Sequence, residues 1–278
     1  VERRRDGGRR LSYVHLSAWT LAAAASLILI NAGLSVLLEL GLARRLLVAA
    51  VRMTVQLALI GLVLTSLFSH VSIGWTGLAA LVMILFAGYE IGSRLDRPLS
   101  GGWSTSVGVS CVAVAALVAL LFSLGVQVHP DPWYDPRYAI PLLGMVLGNA
   151  MTGIALGLNT LTQAVASQRN AVEGRLALGE DRRTAFLGPV RQAARSAMLP
   201  TINSMAATGL VSLPGMMTGQ ILAGAEPGEA VKYQLMVMFL IAGCTGAGAF
   251  AAILLGAARL TDSRHRLRLD RLGAETKT

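Results

Sequence analysis

Apolar residues run along this chain in blocks of about twenty, the length a helix needs to cross a bilayer core of about 30 Å. The blocks fall at 16–39, 46–68, 73–92, 104–126, 138–161, 199–224 and 232–258. Short stretches rich in Arg, Gly and Pro separate them. The pattern predicts an all-α, polytopic membrane bundle of about seven transmembrane helices. The first block is longer than the apolar core of a signal peptide and is followed by LGLARR, a charged stop, so it is expected to stay in the membrane. The expected organisation is a basic N-terminal tail at 1–15, a transmembrane domain at 16–258 with one long cytoplasmic loop at 162–198, and a basic cytoplasmic tail at 259–278.

Arginine sets the orientation. Arg44, Arg45 and Arg52 flank the first connection, Arg94 and Arg97 the third, six Arg between 169 and 195 the fifth, and Arg259 to Arg271 the tail. The alternate connections hold only Arg137 and Lys232. Positive residues stay on the cytoplasmic side, so the odd-numbered connections and the C-terminal tail are expected there. Seven spans then put the N-terminus outside, against the five Arg of VERRRDGGRR. The internal loops agree with one another and outweigh one terminal cluster.

Composition supports a bilayer setting. Of 278 residues, 54% are hydrophobic and 14% charged, and the mean hydropathy is +0.60. A net charge of +9 raises nucleic acid as a partner, but the arginines sit between apolar runs, as membrane-flanking charges do. No nucleic-acid partner is expected. Cys111 and Cys244 lie inside apolar runs and form neither a disulfide framework nor a zinc pattern. His15, His70, His129 and His265 are scattered, and the metal ligands, if any, stay unassigned.

Two blocks carry unusual features. In the block from 138, Gly144 and Gly148 form one small-xxx-small pair and Gly153 and Gly157 another. At about 100° per residue the pairs open opposite faces of one helix, which fits ordinary bundle packing or one face meeting a second copy of the chain. Asn149 and Thr152 add polar groups that need partners in lipid.

The block at 199–224 has residues to spare for one crossing, with LVSLPGMMTGQILAG at its end. Pro214 lacks an N–H and its ring crowds the carbonyl of Leu210, so the helix is expected to kink or unwind near 211–215. Irregular backbone at membrane depth is tolerated where it is buried in protein or lines a water-filled cavity. A translocation path is therefore expected along Asn149, Thr152, Asn203, Pro214, Gly215, Met216, Met217, Thr218 and Gln220. Arg52 and Glu90 lie toward the cytoplasmic ends of their spans and suit a structural ion pair. The methionines of the last three spans fit gap filling or soft metal contacts, and the loop HPDPWYDPRY, 129–138, is a stiff polar connection.

The segments NAMTGIALGLN, EGRLALGEDRRTAF and LPTINSMAATGLVSLPGMMTGQILAGAEPGEAVKYQ together resemble the iron-export (Fet-type) ABC transporter permease family, which is related to the plant aluminium-sensitivity permeases. The resemblance implies a multi-pass permease of the bacterial cytoplasmic membrane, working as a homodimer with a separate ATPase subunit. The chain has no GxxxxGK[ST] phosphate loop, in keeping with ATP being used by that partner and no cofactor being bound here. GRLALG looks like the cytoplasmic segment on which an ATPase docks, and Glu173, Arg175, Gly179, Arg182 and Arg183 are the docking candidates. The implied cargo is iron or another metal ion; a nucleotide sugar or other organic anion is the alternative within the same class. A stand-alone secondary transporter would show inverted repeats and midplane acids, and none stands out. An enzyme would need a nucleophile and base within the spans, and Ser and His are not so arranged.

Overall fold

The computed structural model describes residues 17–69, 71–122, 132, 134–262, 264 and 266–273. These form nine α-helices and one short 3₁₀ turn, and the chain divides into two compact units, 1–70 and 71–278.

The first unit is a helical hairpin, α1 (Ala18–Leu37) and α2 (Ala43–Ser69). Ser17 caps α1 by accepting from the Thr20 N–H. The turn between the helices places Glu39 at φ 52° and Gly41 at φ 70°. It is tied back by the Leu42 N–H, which donates to Ser35 Oγ at 2.9 Å. Most side chains of α1 and α2 are exposed apolar groups, an arrangement stable in lipid and not in water.

The second unit holds α3 (Ile73–Ser93), α4 (Trp103–Phe122), α5 (Pro136–Ser167), α6 (Arg169–Ala177), α7 (Arg182–Ala207), α8 (Gly215–Leu222) and α9 (Pro227–Arg259). Helix α5 is central and packs against α3, α4, α7 and α9. The α3–α4 pair is set by Gly88, where a Cβ would lie 2.1 Å from Val109 Cγ2 and 2.7 Å from Val109 Cα. Only glycine allows that approach. The early turns of α5 (Ala139, Leu142, Val146) share a core with the first half of α9 (Val237, Ile241, Cys244). Further along, Leu158 and Leu161 of α5 meet Gly256. The two helices therefore run parallel, and the chain between them has to cross back.

Helix α7 makes that return. It buries Ala185, Phe186, Pro189, Ala193, Ala197 and Thr201 at helical spacing and turns Arg191, Gln192 and Arg195 outward. These charges explain why six helices, not seven, are long and apolar enough to cross a membrane among the described residues: α1, α2, α3, α4, α5 and α9. The block read as a span at 199–224 is not one helix. Helix α7 enters it from the arginine-rich connection after α6 and ends at Ala207, and α8 begins at Gly215.

The break also starts earlier than the proline implied. Gly209 turns the chain at φ 95°, a conformation open to glycine, and Thr208 and Ser212 form an isolated bridge. Pro214 instead stands at the N-cap of α8, where its missing N–H costs nothing.

At the opposite end of the unit the arginine-rich connections converge. Ser100 N–H donates to Arg271 O at 2.8 Å, and Gly273 N–H donates to Pro98 O at 2.7 Å. Arg271 Nη1 donates to Arg259 O at 2.8 Å, closing the exposed carbonyls at the end of α9. Residues 266–273 of the basic tail thus fold against the α3–α4 loop.

Candidate functional site

Two regions of the second unit combine unusual backbone with unusual side chains. The first is the packing of α8 on the N-terminal half of α9. Met216 of α8 rests on the core formed by Ala115, Ala119, Val146, Val237 and Cys244, with Met145, Met236 and Met238 around it. These methionines fill gaps between helices of unequal spacing. On the same two helices, Gln220 Oε1 of α8 and Gln234 Oε1 and Thr245 Oγ1 of α9 are buried and accept no hydrogen bond from the described residues. Gln234 is 7% exposed and shares a helix face with Val237, Met238 and Ile241, and Thr245 lies three turns further along the same face. A buried, unpaired amide is costly, so Gln220 and Gln234, one on each of the packed helices α8 and α9, mark a seam where water or a polar cargo would supply the missing partner, while Thr245 lies against Gly153 of α5.

Of the residues expected on a path, Met216, Met217, Thr218 and Gln220 are partly buried on α8, beside Pro214 at its cap and Gly215 at its first position. Thr218 Oγ1 donates to Pro214 O at 3.2 Å. Asn149 and Thr152 satisfy themselves on their own helix: Asn149 Nδ2 donates to Met145 O at 2.8 Å, and Thr152 Oγ1 to Gly148 O at 2.9 Å. Asn203 is exposed on α7. Gln234 and Thr245 carried no recognisable sequence signal, because single polar residues inside an apolar block look alike whether they face lipid, a neighbour or a seam.

The glycine pairs of α5 have different surroundings. A Cβ at Gly153 would lie 2.7 Å from Thr245 Cγ2 and 3.3 Å from Ala197 O; one at Gly157 would lie 2.9 Å from Ile253 Cδ1. That face packs within its own bundle, on α7 and α9. On the other face Gly144 is in ordinary contact with Met83 of α3, and Gly148 is open.

The second region is the turn between α6 and α7. Gly179 holds φ 88°, and Asp181 caps α7 by accepting from the Thr184 and Arg183 N–H groups. The Thr184 hydroxyl, with those N–H groups and Arg183, holds the Asp181 carboxyl below its ordinary value. Arg175 Nη1 reaches Thr184 O at 3.4 Å, and Glu173 accepts from Arg169 Nε at 2.9 Å. The turn therefore has a fixed shape. At its tip stands Leu178, 85% exposed, beyond the end of α6. An apolar knob on a rigid, charged turn is the form of an anchor for another protein. It lies within GRLALG, but the charged neighbours drew attention away from it. Arg182 and Arg183 sit at the start of α7 beside a groove of about 540 Å³ between α7 and α9.

Glu90 pairs with Arg94, at the C-terminal end of α3, at 3.3 Å, and Arg52 lies on α2. Asp135 caps α5 by accepting from the Arg137 N–H at 2.9 Å. His15, His70, His129, His265 and Asp131 lie outside the described residues. Among the described residues no three His, Cys, Asp or Glu side chains gather as a metal site.

A parallel helix pair, a broken segment beside it, one arginine-rich end and six helices of membrane-spanning length define a multi-pass helical membrane protein. The chain belongs to the family described as Uncharacterised protein family (UPF0014), which matches residues 18–261. It is 38% identical over 226 residues to the UPF0014 membrane protein STAR2 of Oryza sativa subsp. japonica, covering 80% of this chain and 76% of that one. It is 37% identical over 222 residues to Protein ALUMINUM SENSITIVE 3 of Arabidopsis thaliana, covering 80% and 79%. With the probable iron export permease protein FetB of Escherichia coli it shares 32% identity over 248 residues, 89% of this chain and 93% of that one. No solved structure matches the chain.

Proposed function

We propose that this chain is the permease subunit of an ABC exporter for iron or another metal ion, driven by a separate ATPase that binds at the α6–α7 turn. The observation that carries the reading is its similarity to FetB across 93% of that protein, which is named a probable iron export permease. The geometry supports it in two places. The rigid turn bearing Leu178 gives an ATPase a single apolar anchor, with Glu173, Arg175 and Gly179 holding its shape. Helix α7 runs from that turn without interruption to the break before α8. Movement at the turn is thereby delivered, through one continuous helix of about 39 Å that carries Pro189 and Pro200 in its interior, to the segment that packs on the seam.

In this reading two copies of the chain act with two ATPases, and the ATP is bound and hydrolysed by those partners. The Gln220, Gln234 and Thr245 oxygens are hard donors able to accept a cation that keeps part of its water shell. The test is ATPase activity of the co-purified complex in lipid, titrated with ferrous iron, other divalent metals and nucleotide sugars. Saturable stimulation by ferrous iron supports the assignment. Stimulation by a nucleotide sugar alone moves the cargo to an organic anion, and the absence of any stable ATPase complex removes the ABC reading.

A further inference from the structure

The groove between α7 and α9 has a graded lining that the transport reading does not use. Its apolar walls are Phe186 and Val190 from α7 and Leu254 and Ala257 from α9; its other end carries Arg182, Arg183 and Thr261. The helices are antiparallel here, and both change from apolar to polar toward the same end. On α9 the change takes seven residues, about 10 Å. Leu254 is 61% exposed at the apolar end, as a side chain facing acyl chains would be. Outside the groove, where α9 ends, Trp103 of α4 lies under the Arg259 guanidinium, 4.8 Å from ring centroid to Cζ, and tryptophan concentrates at the headgroup level.

Charge completes the match. Arg182 and Arg183 form no salt bridge among the described residues. Of the nearby carboxylates, Asp181 caps α7 with Arg183 beside it, Asp262 pairs with Arg266 at 3.0 Å, and Glu180 keeps one oxygen buried and without a hydrogen-bond partner. Because Asp181 already caps α7, the free cations here are the side chains and not the helix end. We infer that this groove binds an anionic phospholipid of the cytoplasmic leaflet, its phosphate between Arg182 and Arg183 and an acyl chain along Phe186, Val190 and Leu254. Such a lipid wedges the base of α7, the rod that carries movement from the docking turn.

The test uses the full chain in neutral detergent and native mass spectrometry with phosphatidylglycerol or phosphatidylcholine. Wild type should retain phosphatidylglycerol preferentially. The R182Q/R183Q variant should lower that affinity about thirtyfold, from about fivefold per cation near a membrane surface, and leave phosphatidylcholine unchanged. A258F, at an exposed position in the groove lining, should weaken both lipids. The R191Q/R195Q pair, on the same helix outside the groove, should behave as wild type. Equal retention of both lipids by wild type overturns the proposal, as does an equal loss in R191Q/R195Q. So does an R182Q/R183Q variant that keeps phosphatidylglycerol but releases the co-purified ATPase, which assigns the arginines to that partner.

Discussion

Asp96 and Asn159, 63 positions apart, hold each other in a reciprocal pair: Asp96 N–H donates to Asn159 Oδ1 at 3.0 Å, and Asn159 Nδ2 donates to Asp96 Oδ2 at 2.9 Å. Gln163, one turn further along α5, adds a second donor to the same carboxylate oxygen at 2.8 Å. The α3–α4 loop is thereby fixed to the end of α5 that leads into α6.

The pair sets the first prediction. Asn159→Leu removes a donor to a carboxylate and an acceptor for a backbone N–H, interactions together worth about 2 to 4 kcal/mol. The variant should unfold several degrees below wild type in thermal melts of the purified protein. Gln163→Leu, which removes one donor only, should cost less. A melt of Asn159→Leu superimposed on wild type would show that the clamp contributes nothing.

Leu178 is expected to dominate ATPase binding because its side chain is 85% exposed at the tip of the turn. Leu178→Asp places a charge where an apolar pocket should close, and a central anchor of this kind is worth about 2 kcal/mol or more. The complex should dissociate on size-exclusion chromatography while the permease keeps its own melting temperature. Retained ATPase would move the docking surface elsewhere.

Gln234 separates stability from transport. Replacing it with Leu removes a buried, unpaired oxygen at similar volume, so the protein should melt at the wild-type temperature or above, with a gain of about 1 kcal/mol. Export measured in proteoliposomes with the ATPase should nevertheless fall. Undiminished flux in both Gln234→Leu and Gln220→Leu would exclude the seam as the path.

Gly153 should tolerate no larger residue. A side chain there meets Thr245 and the Ala197 carbonyl, and overpacking of this kind costs about 1 to 3 kcal/mol. Gly153→Val should therefore lower the yield of folded protein, whereas Gly148→Ala, at an open position, should leave it unchanged. Cross-linking between copies reports whether the open face meets a second chain: Gly148→Leu should then reduce the cross-linked dimer, and Gly148→Ala less so.

What the sequence determined by itself is what depends on local chemistry. Apolar blocks of bilayer length specify helices because no other open structure satisfies its backbone in lipid. Arginine clusters mark one end of the bundle because moving them across the membrane is costly. Gly179 and Asp181 end and restart a helix through their own backbone preferences. Tertiary structure decided what depends on neighbours. The block at 199–224 read as one span by hydropathy alone, yet α7 reaches into it from Arg182 and Gly209 breaks it before Pro214 acts. Periodicity showed that the two glycine pairs of α5 face opposite ways, but only the packing of Thr245, Ala197 and Ile253 showed which face is closed. Gln234 and Asn159 are both single polar residues in apolar helices. One is left without a partner and the other is clamped to Asp96, because hydrogen bonding across the bundle is fixed by which helices meet and at what register.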